Sequence, residues 1–371
     1  MRYGLYLADL RRTATDSQGT INYAVGLCAS LAGVMARDEQ LFALANPEVA
    51  AELHSLSAHA IDIDIVPAPA HIGSRLLLDH HEVRRWAQRR RLDVLHFPKG
   101  HVPLRPIQGT ATVATAHDDI ALRYASGALG HRSGPLKSGY FAWAARHGLR
   151  SADQILTVSE FSAARLAEHA RPARPIIVTY EGVDRPRLPM VTRSARRPHI
   201  VIMGSVLPHK NTLQSVTWAS RFLSETDGGD ARLVVTGRLD PATEALCAPP
   251  AITRVRAFLP APELAGLVGT ARALVFGSTY EGFGLPPVEA YAMGTPATFN
   301  NVGAMAEILD GFPGGHGPDY GSFAAALRSV LGLTDGDLDG FRAKILERYD
   351  WALVARRTLL AMRAIANPLP S

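Results

Sequence analysis

Short apolar runs of β character alternate with longer stretches of helical period from one end of the chain to the other. Parallel strands cannot be joined by tight turns, so a chain written this way closes parallel sheets through helical crossovers. Strands are expected at 3–7, 61–66, 94–97, 111–116, 154–158 and 176–179, with helices at 22–36, 76–91, 136–150 and 161–170 between them. The alternation stops once, in a proline- and arginine-rich stretch at 185–198, and then resumes with strands at 200–203, 233–236, 273–276 and 296–299. The reading is α/β, with two Rossmann-like domains in tandem: 1–185, a linker at 186–198, 199–349, and a last helix at 350–371. In open α/β sheets ligands sit at the carboxyl ends of strands, so the loops after strands are where chemistry is expected.

The length, 371 residues, allows two domains with a core each. Hydrophobic residues make up 47% and charged residues 20%, the balance of a soluble globular protein. Residues 1–10 are apolar and run straight into Arg11 and Arg12, which reads as a first strand rather than a secretory leader, and the expected location is cytoplasmic. Cys28 and Cys247, the two cysteines, read as small core residues. The net charge of +5 is densest at Arg84, Arg85, Arg89, Arg90 and Arg91, a run read as a solvated helix face. Weak peripheral contact with anionic lipid is the second reading, and no nucleic acid partner is expected.

The most informative stretch is 278–296. Gly282 and Gly284 flank Phe283 just after a strand, Pro286 and Pro287 suit a first helical turn, and Gly294 followed by Pro296 stops the helix. Glycine lets backbone N–H groups approach an anion closely, and a helix N-terminus adds positive potential, so phosphate is the natural guest. Glu281 and Glu289 bracket the loop. A carboxylate beside phosphate needs another purpose, and accepting hydrogen bonds from sugar hydroxyls is one. Glu289 is placed in the first helical turn, where it would also offset the helix dipole.

Glu281 and Glu289, with seven residues between them and Gly-Phe-Gly-Leu-Pro inside, resemble the E-x7-E signature of the retaining GT-B glycosyltransferases of family 4. The resemblance implies two domains facing across a cleft, and transfer of a sugar from a nucleotide-diphosphate sugar, of UDP or GDP type, to an acceptor hydroxyl. Glu289 would bind the ribose, Glu281 the transferred sugar, and the backbone of Gly282, Phe283, Gly284 and Leu285 the sugar and diphosphate. Lys210 follows the strand ending at Met203, in Gly204-Ser205-Val-Leu-Pro-His-Lys, where the resemblance implies a pyrophosphate ligand. Ser205 and His209 stand where many members carry arginine. Gly237, and Leu259 beside Phe258, fall where the family cradles the donor, and Gly303 and Glu307 resemble a later loop.

In the first domain, the stretch from Asp16 to Gly19 precedes the first helix, and Gly19 stands for a glycine pair that approaches donor and acceptor in the family. His117 and Asp118 follow a strand and resemble the family's Thr-Ile-His-Asp-Leu; His117 would face the sugar or acceptor hydroxyl and Asp118 would orient its neighbours. Ser159, in Val-Ser-Glu-Phe-Ser, reads first as a helix cap. The last helix carries Trp351, Val354, Ala355, Leu359 and Met362 on one side and would cross back to the first domain.

Other patterns lead nowhere. Gly282-Phe-Gly284 lacks the third glycine of a dinucleotide fingerprint, and the loop starting at Asp335 lacks the closing glutamate of a calcium loop. Asp62 and Asp64 lie in an alternating strand and are read as facing solvent. The expected chemistry has Glu281, His117 and Lys210 at the reacting centre, no metal and no cofactor, and closure of the two domains over the donor. The acceptor, whether natural product, glycan or lipid-linked sugar, is left open. A GT-B sugar-nucleotide epimerase, a phosphorylase-like enzyme and a non-catalytic GT-B subunit are the alternatives.

Overall fold

The structure, a computed structural model, describes residues 1–11, 18–56, 61–129, 135–170, 172, 174–183, 191–226, 231–247, 252–254 and 259–366. They fall into two compact units, one of residues 1–182 with 349–371 and one of residues 183–348.

The first unit is built on seven parallel strands: β1 (Arg2–Leu7), β2 (Gln40–Ala45), β3 (Asp62–Ile65), β4 (Val94–Phe97), β5 (Ala111–Thr115), β6 (Gln154–Thr157) and β7 (Ile177–Val178). Their order is β3-β2-β1-β4-β5-β6-β7, so the chain reverses direction across the sheet between β1 and β4. Helices α1 (Gln18–Val34), α2 (Pro47–Leu56), α3 (Ile72–Leu77), α4 (Val83–Arg90), α5 (Ile120–Ala125), α6 (Pro135–Ser151) and α7 (Glu160–Ala170) make the crossovers. All four residues of β4 and of β6 are buried, as expected of strands covered on both faces. Tyr6, Phe42, Trp86, Leu95 and Phe97 share one core on this sheet. Each such side chain contributes roughly 1.5–3 kcal/mol through its burial.

Four expectations change here. The helix at 76–91 is not a regular α-helix: it stays helical but passes through a π-turn at Leu78–Glu82 between α3 and α4, where Val83 N–H donates to the Leu78 carbonyl five residues back. The turn carries Asp79 into the interior. The arginine run is not wholly a solvated face, since Trp86 is buried and Arg90 grips Asp64 with two bonds of 2.5 and 2.6 Å. Asp64 therefore faces solvent only in part, its side chain 31% exposed. It also accepts from Trp86 Nε1 at 2.6 Å, while Asp62 on the same edge strand stays exposed. Gly19 lies in the first turn of α1 rather than ahead of it. The loop just before it, 12–17, lies outside the described residues.

Helix α15 (Trp351–Ala366) packs on α1 of this unit. Val354, Ala355, Leu359 and Met362 are buried along it, and Trp351 presses on Gly26, where a Cβ would stand 2.4 Å from the indole. Arg363 clamps Glu39 with bonds of 2.6 and 2.7 Å.

The second unit has six parallel strands: β8 (His199–Met203), β9 (Arg232–Thr236), β10 (Ile252–Arg254), β11 (Ala273–Phe276), β12 (Ala297–Asn300) and β13 (Gly315–His316). The order is β10-β9-β8-β11-β12-β13, with its reversal between β8 and β11. Helices α8 (Thr212–Glu225), α9 (Pro241–Leu246), α10 (Ala261–Gly269), α11 (Leu285–Ala292), α12 (Ala304–Ile308), α13 (Tyr320–Leu331) and α14 (Asp335–Arg348) cover it. Ile200, Ile202, Val216, Phe222, Phe323 and Leu327 form its core. Of the stretch read as a linker, 184–190 lies outside the described residues, and Arg196 is anchored on this unit through the carbonyls of Ala271 and Gly294 and the Thr295 hydroxyl.

Candidate active site

Strands β8 and β11 lie side by side where the second sheet reverses, and the loops that leave them carry the conspicuous residues. Gly204 ends β8 by donating its N–H to the Thr236 carbonyl at 2.9 Å. Gly237, with φ +83°, comes so close that a Cβ on it would stand 2.1 Å from the Gly204 carbonyl oxygen. Ser205 then fixes the next turn. Its N–H donates to Thr212 Oγ1 and its carbonyl accepts from that hydroxyl, both at 3.0 Å, while its own Oγ accepts from Leu207 N–H at 3.2 Å. The result is a 3-10 turn at Pro208–Lys210, closed by Asn211 at φ +51°, just ahead of α8. His209 is buried, and its carbonyl accepts from Thr279 N–H at 2.8 Å and from the Ser278 hydroxyl at 3.2 Å. The loop after β8 is thereby tied to the loop after β11.

Lys210 and Glu281 meet at the tip of these loops, with Nζ donating to Oε1 at 2.5 Å. The carboxylate is the more deeply buried side chain, 11% exposed against 27% for the lysine. Gly282, Phe283 and Gly284 are buried and lead into α11. Gly284 caps that helix at φ +90°, where a Cβ would stand 2.0 Å from Met305 Sδ. Leu285 and Pro286 open it half-buried. Because the left-handed Gly284 delays the helix start to Leu285, Glu289 is its fifth residue and belongs to the second turn, not the first. Dipole compensation is correspondingly weaker for it. Asn300 props the end of β11 by donating to the carbonyls of Gly277 and Ser278, at 2.7 and 3.2 Å. Leu259 is half-buried just ahead of α10, and Phe258 lies outside the described residues. Gly303 caps α12, which carries Glu307.

In the first unit His117 follows β5. Its Nδ1 bonds Glu181 Oε1 at 2.8 Å and its Nε2 bonds the Pro98 carbonyl at 2.9 Å. A carboxylate and a carbonyl both accept, so this geometry calls for N–H on both nitrogens, the imidazolium. Burial opposes that charge, but the Glu181 carboxylate and the Pro98 carbonyl outweigh it and the pKa is raised. Tyr23 packs edge-on to the ring at 4.7 Å. The Ser162 hydroxyl holds the His117 carbonyl at 2.9 Å, and Ser159 caps α7 by accepting from Ser162 N–H at 3.0 Å. Asp118 accepts from Ile120 N–H at 2.9 Å and so shapes the start of α5. Glu181 went unread in the sequence; its only signal there is a carboxylate shortly after a strand. Within the second unit the structure brings Lys210, Glu281, Gly204, Ser205, Gly237 and the 282–285 loop to one end of the sheet. Within the first, it brings His117 and Asp118 together and leaves Gly19 on α1.

The raised His117 pKa carries a pH dependence. Its contribution to stability is complete below the ordinary histidine value of about 6.5 and is lost as pH rises through the native value. The advantage of wild type over Glu181→Gln is therefore expected to shrink on going from pH 6 to pH 9. The His117 Cε1 proton, followed by NMR, should titrate above about 6.5 in wild type and lower in the variant. An unmoved midpoint would remove Glu181 as the cause.

Two family models match the chain, Glycosyltransferase Family 4 over residues 27–187 and Glycosyl transferases group 1 over residues 197–332. The MMP alpha-(1->4)-mannosyltransferase of Mycolicibacterium hassiacum is 30% identical over 240 residues, 59% of this chain and 56% of that protein. The glycogen synthase of Mycobacterium tuberculosis is 29% identical over 280 residues, 70% of this chain and 65% of that protein. The matched regions thus span less than two thirds of these relatives' lengths. Among solved structures, sucrose-phosphate synthase of Thermosynechococcus elongatus superposes with a TM-score of 0.69 at 16% identity, covering 98% of this chain and 99% of that one. HepE of Anabaena, in complex with UDP and glucose, gives 0.68 at 12% identity over 98% and 100%. With both halves matched in sequence and the whole matched in fold, the chain belongs to the family 4 (group 1) glycosyltransferases of GT-B fold.

Proposed function

We propose that the chain moves a sugar from a nucleotide-diphosphate sugar to an acceptor hydroxyl, with retention of the anomeric configuration and without a metal ion. The observation that carries this reading is the Lys210 ammonium held at 2.5 Å on Glu281 at the strand-order reversal of the second unit, beside the glycine-capped start of α11. Breaking the bond between the anomeric carbon and the diphosphate puts negative charge on the leaving group. Lys210 and the loop amides would stabilise that charge by electrostatics already in place. Glu281 keeps the lysine aimed until the donor arrives and then accepts from hydroxyls of the transferred sugar. Glu289 would take the ribose hydroxyls. Retention is ascribed to front-face attack, with the departing phosphate oxygen taking the acceptor's proton. His117 and Asp118 would serve the acceptor side, His117 as a fixed positive charge. The nucleotide sugar is a substrate, and no cofactor is invoked. A cytoplasmic site of action is part of the proposal; among the described residues no helix is long and apolar enough to cross a membrane.

A thermal-shift panel of UDP, GDP, dTDP and ADP sugars tests the donor. A ligand that binds only the folded state stabilises it by about 2.7 kcal/mol at a hundred times its dissociation constant. One nucleotide class should raise the melting temperature, and Glu289→Ala should abolish most of that shift while Glu289→Gln keeps part. Transfer should persist in EDTA. Loss of transfer in EDTA, restored by Mg²⁺ or Mn²⁺, would refute the metal-free mechanism, and a full shift in Glu289→Ala would refute the ribose assignment.

A further inference from the structure

The first unit repeats, with residues of its own, the arrangement that holds Lys210. Its sheet reverses between β1 and β4, and such reversals leave a crevice at the carboxyl ends of the strands. Asp9 lies two residues beyond β1 and Lys99 two residues beyond β4, and Lys99 Nζ donates to Asp9 Oδ2 at 3.3 Å. Arg75, from α3, donates Nη2 to the same oxygen at 2.9 Å and Nε to Asp79 Oδ2 at 3.2 Å. The Tyr6 hydroxyl bonds the other oxygen of Asp79. Two basic side chains thus converge on one carboxylate at the reversal.

The charges are layered. Asp9 and Asp79 are 4% and 11% exposed, while Arg75 and Lys99 are 22% and 23% exposed. The acids lie inside and hold the two cations, which present the outer face. Lys99 sits on a rigid loop, because Gly100 at φ +78° is pressed by α6, where a Cβ on Gly148 would stand 2.0 Å from the Gly100 carbonyl oxygen. The π-turn after α3 is what carries Asp79 inward to its place under Arg75. Guanidinium and ammonium groups fixed in this way suit a phosphate or a carboxylate.

We propose that Lys99 and Arg75 hold an anionic oxygen group, phosphate or carboxylate, on the acceptor, so that the accepting molecule is a phosphorylated or acidic sugar rather than a neutral one. The word acceptor rests on the transferase reading above; anion binding at these residues does not.

Isothermal titration of the full chain with glucose 6-phosphate, glucuronate and glucose tests this. One of the two acids should bind about tenfold or more tighter than glucose, and which one does so separates phosphate from carboxylate. Lys99→Met and Arg75→Gln should each erase that advantage, Lys99→Arg should keep it, and Lys210→Met should leave it unchanged. Should Lys99→Met fail to fold, protection of wild-type Lys99 from acetylation by glucose 6-phosphate or glucuronate, read by mass spectrometry, decides the matter. The proposal is overturned if neither acid binds better than glucose, if a folded Lys99→Met binds them as wild type does, or if only Lys210→Met loses them. Anion binding at Lys99 together with no response to any nucleotide sugar would instead count against the transferase reading alone.

Discussion

Lys210→Met is expected to lower turnover by about 10²–10³, the usual consequence of removing one charge-assisted donor from a developing anion. Methionine keeps an unbranched stem of similar length and gives up only the ammonium, including its weak contact with the Phe276 ring, whose centre lies 5.8 Å from Nζ. The loop is held by other bonds: Thr279 N–H and the Ser278 hydroxyl on the His209 carbonyl, and Thr212 on Ser205. The fold should therefore survive the change, and the loss should appear in kcat at saturating donor. Glu281 complicates the reading, because the variant leaves a carboxylate 11% exposed without its ammonium. An unpaired carboxylate there would repel the departing diphosphate. The double variant Lys210→Met, Glu281→Gln separates the two effects. If the lysine acts on the leaving group directly, restoring neutrality at position 281 will not recover turnover. Recovery in the double variant would mean that the loss came from the unpaired Glu281 carboxylate and not from the missing positive charge on the leaving group.

The second unit was the more legible half of the sequence, for local reasons. Gly282, Gly284, Pro286, Pro287 and Gly294 each impose a backbone choice at their own position, so a loop, a short helix and its stop can be read in order. Lys210 could be placed because a strand ends seven residues before it. What escaped was set by distant contacts. Strand β2, Gln-Leu-Phe-Ala-Leu-Ala, has no alternation because both its faces are buried, and leucine and alanine read equally well as helix. Asp64 was assigned to solvent because nothing in its own strand shows that Arg90, 26 residues on, reaches back to it. Glu181 is 64 residues from His117, and the pairing follows from β7 lying two strands from β5 in a sheet whose order the sequence does not spell out. The π-turn is invisible for a different reason: one residue inserted into a helix leaves the apolar period almost intact on either side.

Gly237→Ala is expected to destabilise the second unit by about 3 kcal/mol or more, placing it among the severe point substitutions. Two costs combine. At φ +83° an L-residue carries strain of roughly 1–2 kcal/mol. Its Cβ would also stand 2.1 Å from the Gly204 carbonyl oxygen, about an ångström inside any contact that real Cβ atoms make. That neighbour is backbone, and it cannot swing aside. Moving it would pull Gly204 off the Thr236 carbonyl, which its N–H holds at 2.9 Å, and would shift the turn that carries Lys210. Gly284→Ala offers the contrast. Its φ of +90° imposes a similar strain, but the obstructing atom is Sδ of Met305, the middle of a flexible side chain. Gly284→Ala should therefore cost less than Gly237→Ala, and Met305→Ala in the same chain should recover the steric part, leaving the backbone part. Urea titrations monitored by circular dichroism give the ordering directly. Gly237→Ala unfolding at the wild-type midpoint, or no more sensitive than Gly284→Ala, would mean that the loops after β8 and β9 are free to separate and that the turn carrying Lys210 is held by its bonds to Thr212, Ser278 and Thr279 instead.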